Sequence, residues 1–265
     1  MNHEEALNAS SRAQQLVPRK KLLWKIEELW DQYYRPTPSS LSIDTSLNYD
    51  EEGRSRYHPR FQIVDQFSFE PSTEPVFHDD QGSYLGLVDC QLRTTRDRPV
   101  YLVDNHNEIL YPLMEIKEAT GKTYDIVHVD AHPDDAEFQR IKPSTITLEK
   151  CDKQGLSHTE VNIIGLIQET RISDFFDAVS EANVIRNIFR VCHSDSFEFF
   201  LPLDEPYILS LDIDIFGPEG DFTDLESKVR VIAQAWGRAD AVVIATSPGF
   251  IEQEFAKEIV EIFTK

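Results

Sequence analysis

The chain contains few cysteines and no long apolar run, and each of these features limits the class of protein to which it can belong. Its 265 residues include only Cys90, Cys151 and Cys192, which lack the spacing of a metal site and cannot all pair within one chain. We interpret them as reduced thiols, which predicts a cytoplasmic protein. No signal segment opens the chain, and the longest apolar runs, such as residues 239–245, are too short to cross a bilayer. We therefore expect no membrane partner.

Basic residues are also scarce relative to acidic ones. The 26 Lys and Arg against 47 Asp and Glu give a formal net charge of −21, which argues against nucleic acid as a partner. The excess of acid favours a cationic ligand or simply keeps the surface soluble, and composition alone does not choose between these. A Gly-rich phosphate loop and a Gly-x-Ser-x-Gly elbow are both absent from the sequence.

Apolar and amphipathic segments alternate after residue 60, which predicts an α/β fold: a three-layer sandwich with a mainly parallel sheet. Residues 1–60 are predicted to form an N-terminal helical and irregular extension, with a helix over residues 21–30, and residues 61–265 to form one domain. Strands are predicted near 61–69, 84–91, 99–104, 124–130, 161–166, 207–213 and 240–246, and helices near 108–120, 172–181, 223–236 and 251–263.

Two of the predicted strands end in side chains that bind metals. The first ends in Asp130, His132 and Asp134, and the second in Asp212 and Asp214. Alternate side chains of an extended chain share one face, so each set is expected to converge. Carboxylates held this close repel one another unless cations neutralise them, and a mixed carboxylate and imidazole set favours Mn²⁺, with Fe²⁺, Co²⁺ or Zn²⁺ as alternatives. The competing interpretation is that each Asp only caps a helix or turn.

A third segment adds a histidine to these candidates. Residues 99–103 read as a short apolar strand, and His106 lies just beyond its end. A single His in a polar loop is usually solvated, but beside the other candidates it is interpreted as a ligand. His128 shares a strand face with Asp130 and is interpreted as a core residue or a support for a ligand rather than a ligand itself.

These three segments resemble the signatures of the arginase/deacetylase-fold family. Asp-Ala-His-Pro-Asp (130–134), Ser-Leu-Asp-Ile-Asp (210–214) and Asp-Asn-His (104–106) are similar to the segments that hold two manganese ions in arginases. The resemblance covers roughly residues 98–260, and Ala-Thr-Ser-Pro-Gly-Phe-Ile (245–251) resembles the branch that includes the peptide arginases. It implies two Mn²⁺ ions with six ligands: His106, Asp130, His132, Asp134, Asp212 and Asp214.

The resemblance also implies a function. Peptide arginases convert arginine residues in ribosomally made peptides to ornithine and release urea, so the expected partner is an arginine-containing peptide or protein. Asp134 is expected to accept a proton from the attacking water, and His158, by looser analogy, to protonate the leaving amine, although His158 is equally well a surface residue. Glu137 and Glu160, with Asp135, are predicted to bind the guanidinium. Arginases often form trimers or hexamers, so a homo-oligomer is one option.

Departures from the free-arginine pattern leave other functions open. The Gly-Gly before the first Asp-His is absent, Gly217 stands where arginases have a third Asp, and no acid follows Thr246 until Glu252. Either another carboxylate binds the guanidinium or the substrate is not a guanidine. The alternatives are another amidine or amide hydrolase on the same fold, such as an agmatine-type ureohydrolase or a deacetylase of acylated amines, and a non-catalytic metal-binding protein.

Overall fold

The computed structural model describes residues 3–41, 43, 49–55, 60–79, 82–95, 98–132 and 184–265, without the side chains of residues 3–17 and 79. Its helices are α1 (His3–Tyr33), α2 (Leu110–Thr120), α3 (Ser194–Glu198), α4 (Leu225–Arg238) and α5 (Gln253–Phe263). Its strands are β1 (Phe61–Ile63), β2 (Pro71–Asp79), β3 (Gly82–Leu87), β4 (Cys90–Thr95), β5 (Arg98–Val103), β6 (Tyr124–Val129), β7 (Ile185–Val191), β8 (Tyr207–Asp212) and β9 (Ala241–Ala245). Three 3₁₀ turns cover His106–Ile109, Ile213–Phe216 and Pro218–Gly220.

Seven of these strands form one sheet in the order β1-β4-β5-β9-β8-β6-β7. Every neighbouring pair is parallel except β4 and β5, which confirms the predicted mainly parallel α/β sheet. Val103 and Asp212 both pair with Ala245, so β5, β9 and β8 end at the same level. Loops that follow these strands therefore meet at one edge of the sheet, where ligands of open α/β sheets bind.

Helices cover both faces of the sheet, as the side-chain alternation of its strands shows. Leu102 and Val242 belong to an apolar cluster with α1, α4 and α5, whereas Tyr101 and Val243 belong to a second cluster with α2. Successive side chains of a strand point to opposite faces, so the two clusters lie on opposite sides of the sheet. This gives three layers and explains why the central strands are apolar at almost every position.

Helix α1 is part of the core, not a separate appendage. Trp30 is 1% exposed, and its ring lies 4.4 Å from that of Phe263 and 5.5 Å, edge to face, from that of Trp236. Burial of a large apolar side chain contributes roughly 1.5–3 kcal/mol. The helix predicted over residues 21–30 is therefore confirmed and packs on the sheet layer, while the domain boundary at residue 60 stays a prediction.

Several predicted strands differ from the observed ones. The single strand predicted over 84–91 is wrong, because a bend at residues 88–89 separates β3 from β4, which belong to different sheets. The strand predicted over 61–69 is too long, since β1 ends at Ile63. The hairpin of β2 and β3 was not predicted, because β2 contains Pro71 and Pro75, which a two-stranded ribbon tolerates and a central strand does not. The strand predicted at 161–166 and the helix predicted at 172–181 lie outside the described residues.

None of the helices in the described part of the chain is both long enough and apolar enough to cross a membrane.

Candidate metal centre

The centre is built from three loops that leave the carboxyl edge of the sheet. His106 follows β5, Asp130 and His132 follow β6, and Asp212 and Asp214 lie at and just after the end of β8. Asp130, Asp212 and Asp214 are at most 2% exposed, and His106 is 3% exposed. The loops converge because β8 pairs with both β6 and β9, and β9 in turn pairs with β5.

Asp130 is the hub of the cluster, and its two oxygens face different partners. Oδ2 lies 3.0 Å from Nε2 of His128 and 3.3 Å from Nδ1 of His106, whereas Oδ1 lies 3.4 Å from Nδ1 of His132. Nδ1 of His132 is also 2.9 Å from Oδ2 of Asp214. Two sets of possible metal donors result, His106–His128–Asp130 and Asp130–His132–Asp214, and both contain Asp130.

Asp212 is held in place by neighbours from two other strands. Its Oδ1 accepts a hydrogen bond from the backbone N–H of Asp214 at 2.9 Å, and its Oδ2 accepts one from the hydroxyl of Ser247 at 2.6 Å. Oδ2 is also 2.9 Å from Nε2 of His106. The carboxylate therefore links β8 to the loops after β5 and β9.

Burial and neighbouring charges perturb the titration of this cluster. Burial, reinforced by the charge of Asp212, raises the pKa of Asp214 well above its usual value. Burial also raises the pKa of Asp130, but the charge of His106 and hydrogen bonds from His128 and His132 outweigh it and hold that pKa well below its usual value. Hydrogen bonds to Asp130 and Asp214 raise the pKa of His132 to about 11. The opposite directions of these shifts reflect how closely the carboxylates and imidazoles are packed together.

A partly buried ion-pair network fixes the loop that carries His106. Nη1 of Arg60 lies 2.8 Å from Oε1 of Glu108, and its Nη2 binds the carboxylate of Asp104. Oε2 of Glu108 accepts the backbone N–H of Asp104 at 2.9 Å, and Oδ1 of Asp104 accepts that of Leu87 at 2.7 Å. These charge-assisted bonds hold both ends of the short loop between β5 and the following 3₁₀ turn.

Aromatic rings from the β2–β3 hairpin approach the rim of the centre. The ring of Phe250 lies 5.1 Å from that of His132 and 5.3 Å from that of Phe77, which in turn lies 5.7 Å from that of Tyr84. Gly249 is required for this approach, because a Cβ at that position would collide with the ring of Phe77. The hairpin thus forms an apolar wall beside the half-exposed His132.

The structure brings together most of the predicted ligands. His106, Asp130, His132, Asp212 and Asp214 meet in one cluster. The other predicted site residues lie outside the described residues: Asp134, Asp135, Glu137, His158 and Glu160.

His128 contacts a predicted ligand, as expected of a residue that supports one: its Nε2 lies 3.0 Å from Oδ2 of Asp130, and its Nδ1 lies 3.0 Å from the hydroxyl of Ser210. Its donor atoms are also within reach of an ion shared with His106 and Asp130.

Sequence reasoning missed two contributors. Ser247 binds Asp212, and Glu219, an exposed acid, contacts Nε2 of His132. The sequence did contain a signal for Ser247. Polar Thr246 and Ser247 follow the apolar strand β9, just as the predicted ligands follow their own strands.

The backbone of Ser247 is strained, and its hydroxyl donates a hydrogen bond to Asp212. Substitutions that separate these two features test the role of the residue. Its φ of 44° lies in the left-handed region that disfavours a side chain. We expect Ser247→Gly to leave the protein at least as stable and yet to weaken Mn²⁺ binding about tenfold, because glycine relieves the strain while the bond to Asp212 is lost. Ser247→Ala, which keeps the strain and lacks the hydroxyl, is expected to lose both affinity and stability. Calorimetric titration with Mn²⁺ and thermal melting measure the two effects; unchanged affinity in both variants would contradict a positioning role.

The donors fit a divalent cation. Three buried carboxylates and three imidazoles form the mixed oxygen and nitrogen set that suits Mn²⁺, and Fe²⁺, Co²⁺ and Zn²⁺ accept the same donors. The pKa of Asp214 is raised because its carboxylate is buried beside that of Asp212, and a bound cation would offset this unfavourable charge. Residues His106, His128, Asp130, His132 and Asp214 can therefore hold a metal ion.

Comparisons of the chain with protein-family models, with curated proteins and with solved structures give no significant match, so the resemblance to arginases rests on the motif residues alone.

Proposed function

We propose that the chain is a binuclear manganese hydrolase that converts arginine residues in a peptide or protein to ornithine and releases urea. The observation that carries the proposal is the position of Asp130, whose two oxygens face two different sets of metal donors. A carboxylate in this position suits a site for two ions. The family resemblance of the same segments supplies the reaction class.

Each group of the site has a part in the proposed reaction. The chemistry that two divalent ions would supply when bound is a hydroxide-like nucleophile near neutral pH and polarisation of the group under attack. His106, Asp130, His132, Asp212 and Asp214 would hold the ions, and Ser247 keeps Asp212 oriented. Water adds to the guanidine carbon, one proton of that water passes to Nε, and the bond from the carbon to Nε breaks, which releases urea and leaves Nε as the amine of ornithine.

The site also has features suited to a cationic side chain. Glu219 is an exposed carboxylate that contacts His132, so it stands beside the donor cluster at the rim. A guanidinium pairs well with a carboxylate because two parallel N–H groups meet two oxygens. Phe250 and Phe77 flank the same rim and would exclude water from the reacting group. Glu219 is thus a second candidate for guanidinium binding, beside the predicted Glu137 and Glu160.

The test uses mass spectrometry and a urea assay. The Mn²⁺-loaded protein is incubated with arginine-containing peptides, free arginine, agmatine and an acetylated amine, with a chelator-treated sample as control. We expect peptides to lose the mass that separates arginine from ornithine, with one urea released per event, and free arginine to be unchanged. Turnover of agmatine alone would favour a small-molecule ureohydrolase, and release of acetate would favour a deacetylase. Absence of mass loss on any guanidine would eliminate the proposal.

A further inference from the structure

A groove of about 710 Å³ lies next to the candidate metal centre, between the hairpin and the turn that leads into α5. Its volume falls in the range of sites that bind ligands of several hundred daltons, so it accommodates a short stretch of polypeptide. Four aromatic residues line it, and its charged residues are acidic. The lining includes Tyr84, Phe216, Asp221, Phe250, Glu252 and Phe255.

The groove adjoins the metal centre. Phe250 lines the groove, and its ring lies 5.1 Å from that of His132. Gly217 and Pro218 line it as well, and the next residue, Glu219, contacts His132. A chain whose side chain entered the metal centre would therefore have this groove beside it.

The charge of the groove distinguishes it from another large cavity of the described residues. That cavity, of about 660 Å³, is lined by Phe199 together with Glu198 and three arginines, Arg35, Arg230 and Arg238, so its excess of positive charge disfavours a basic peptide. In the groove, Glu252 is already bound by Arg19 at 3.0 Å, whereas Asp221 is exposed. A basic side chain in the groove would meet the carboxylate of Asp221.

We infer that this groove binds the polypeptide segment adjoining the target arginine, and that it prefers an apolar residue next to a basic one. The apolar residue packs on Tyr84 and Phe250, and the basic residue pairs with Asp221. The inference rests on the proposed function, since it identifies where the peptide part of that substrate lies. It gives a physical reason for acting on a peptide rather than on free arginine, which has no flanking residues to fill the groove.

The first experiment measures binding without turnover. The probe is a fluorescently labelled peptide, Ala-Phe-Lys-Orn-Ala-Gly, blocked at both ends, in which ornithine replaces arginine so that hydrolysis is impossible. A matched probe carries Glu in place of Lys. By fluorescence anisotropy with the Mn²⁺-loaded protein, we expect the Lys peptide to bind more tightly than the Glu peptide, because the groove carries acidic residues.

Two groove variants and two matched controls locate the contact. Tyr84→Ala is expected to weaken binding about tenfold, and Asp221→Asn about threefold with loss of the preference for Lys over Glu. Phe199→Ala and Asp204→Asn are the controls, because Phe199 lines the other cavity and Asp204 precedes β8 at the opposite edge of the sheet. Thermal melting checks that Tyr84→Ala folds, while the exposed Asp221 is replaced without disturbing the core.

The possible outcomes test the proposed peptide groove and the proposed hydrolase function independently. If no probe binds, if both groove variants bind normally, or if Phe199→Ala weakens binding instead, the inference is overturned. If peptides bind as expected but none is hydrolysed, the hydrolase proposal fails and the groove stands. If peptides are hydrolysed while Tyr84→Ala and Asp221→Asn leave the KM for the arginine peptide unchanged, the function stands and the groove is excluded.

Discussion

Replacement of Asp214 by Asn is expected to weaken Mn²⁺ binding by at least about 100-fold and yet to leave the metal-free protein as stable as the parent or more so. Loss of a group that only supports a ligand costs about 10-fold to 100-fold in metal affinity, so loss of a ligand carboxylate should cost at least as much. Stability is expected to hold because burial and the charge of Asp212 make the ionised form of Asp214 unfavourable without a cation, as its raised pKa indicates. Asparagine is neutral and nearly isosteric, so it removes that repulsion.

The two effects are measured separately. Calorimetric titration gives the Mn²⁺ affinity, and denaturation in the presence of a chelator gives the free energy of unfolding of the metal-free state. Asp204→Asn is the matched control, since its side chain is fully exposed and lies at the other edge of the sheet. A merely structural Asp214 would show the reverse pattern, with normal Mn²⁺ affinity and lower stability. Under the proposed function, Asp214→Asn should also abolish urea release.

The residues at the strand ends of the metal centre were predictable because each is marked by a pattern in the neighbouring sequence. In each of the segments ending at Asp130 and Asp212, a mainly apolar run marks a buried strand, and polar residues at every second position follow it. Parallel strands place their carboxyl ends at one edge, so convergence follows once the sheet is predicted. The pattern is informative because a buried carboxylate is unfavourable in such a strand unless a neighbouring group neutralises its charge.

The contacts of the supporting residues were not predictable, even where the sequence marked the residue, because they depend on the order of the strands. Ser247 reaches Asp212, 35 residues away, only because β9 lies between β5 and β8 in the sheet. Glu219 reaches His132 across 87 residues for the same kind of reason. Strand β7 was missed because its sequence interrupts the apolar alternation with Arg186 and Asn187, which bind Asp125 at 2.8 Å. Strand β7 is the last strand of the sheet among the described residues, and strands in that position carry such polar residues, so their periodicity is weak.

The buried Arg98 has the largest expected effect on folding. It is 1% exposed, and its guanidinium donates hydrogen bonds to the backbone carbonyls of Trp236 and Thr37, each at 2.5 Å, and to that of Ala239. The carbonyl groups in the last turn of a helix lack partners within the helix, so Arg98 satisfies the end of α4. Its removal leaves several buried acceptors without donors, and we expect Arg98→Met to lower the free energy of unfolding by about 3–5 kcal/mol.

Chemical denaturation with matched variants tests this role of Arg98. Arg54→Met, at an exposed position of the described chain, is expected to change stability by less than about 0.5 kcal/mol. Arg98→Lys is expected to recover only part of the loss, because an ammonium group lacks the planar fork that reaches several carbonyls. Equal effects of Arg98→Met and Arg54→Met would contradict the assignment. Arg98 lies at the amino end of β5, whereas His106 follows its carboxyl end, so the fraction of Arg98→Met that remains folded should bind Mn²⁺ normally. This variant and Asp214→Asn therefore have opposite signatures, since one lowers stability with affinity intact and the other lowers affinity with stability intact.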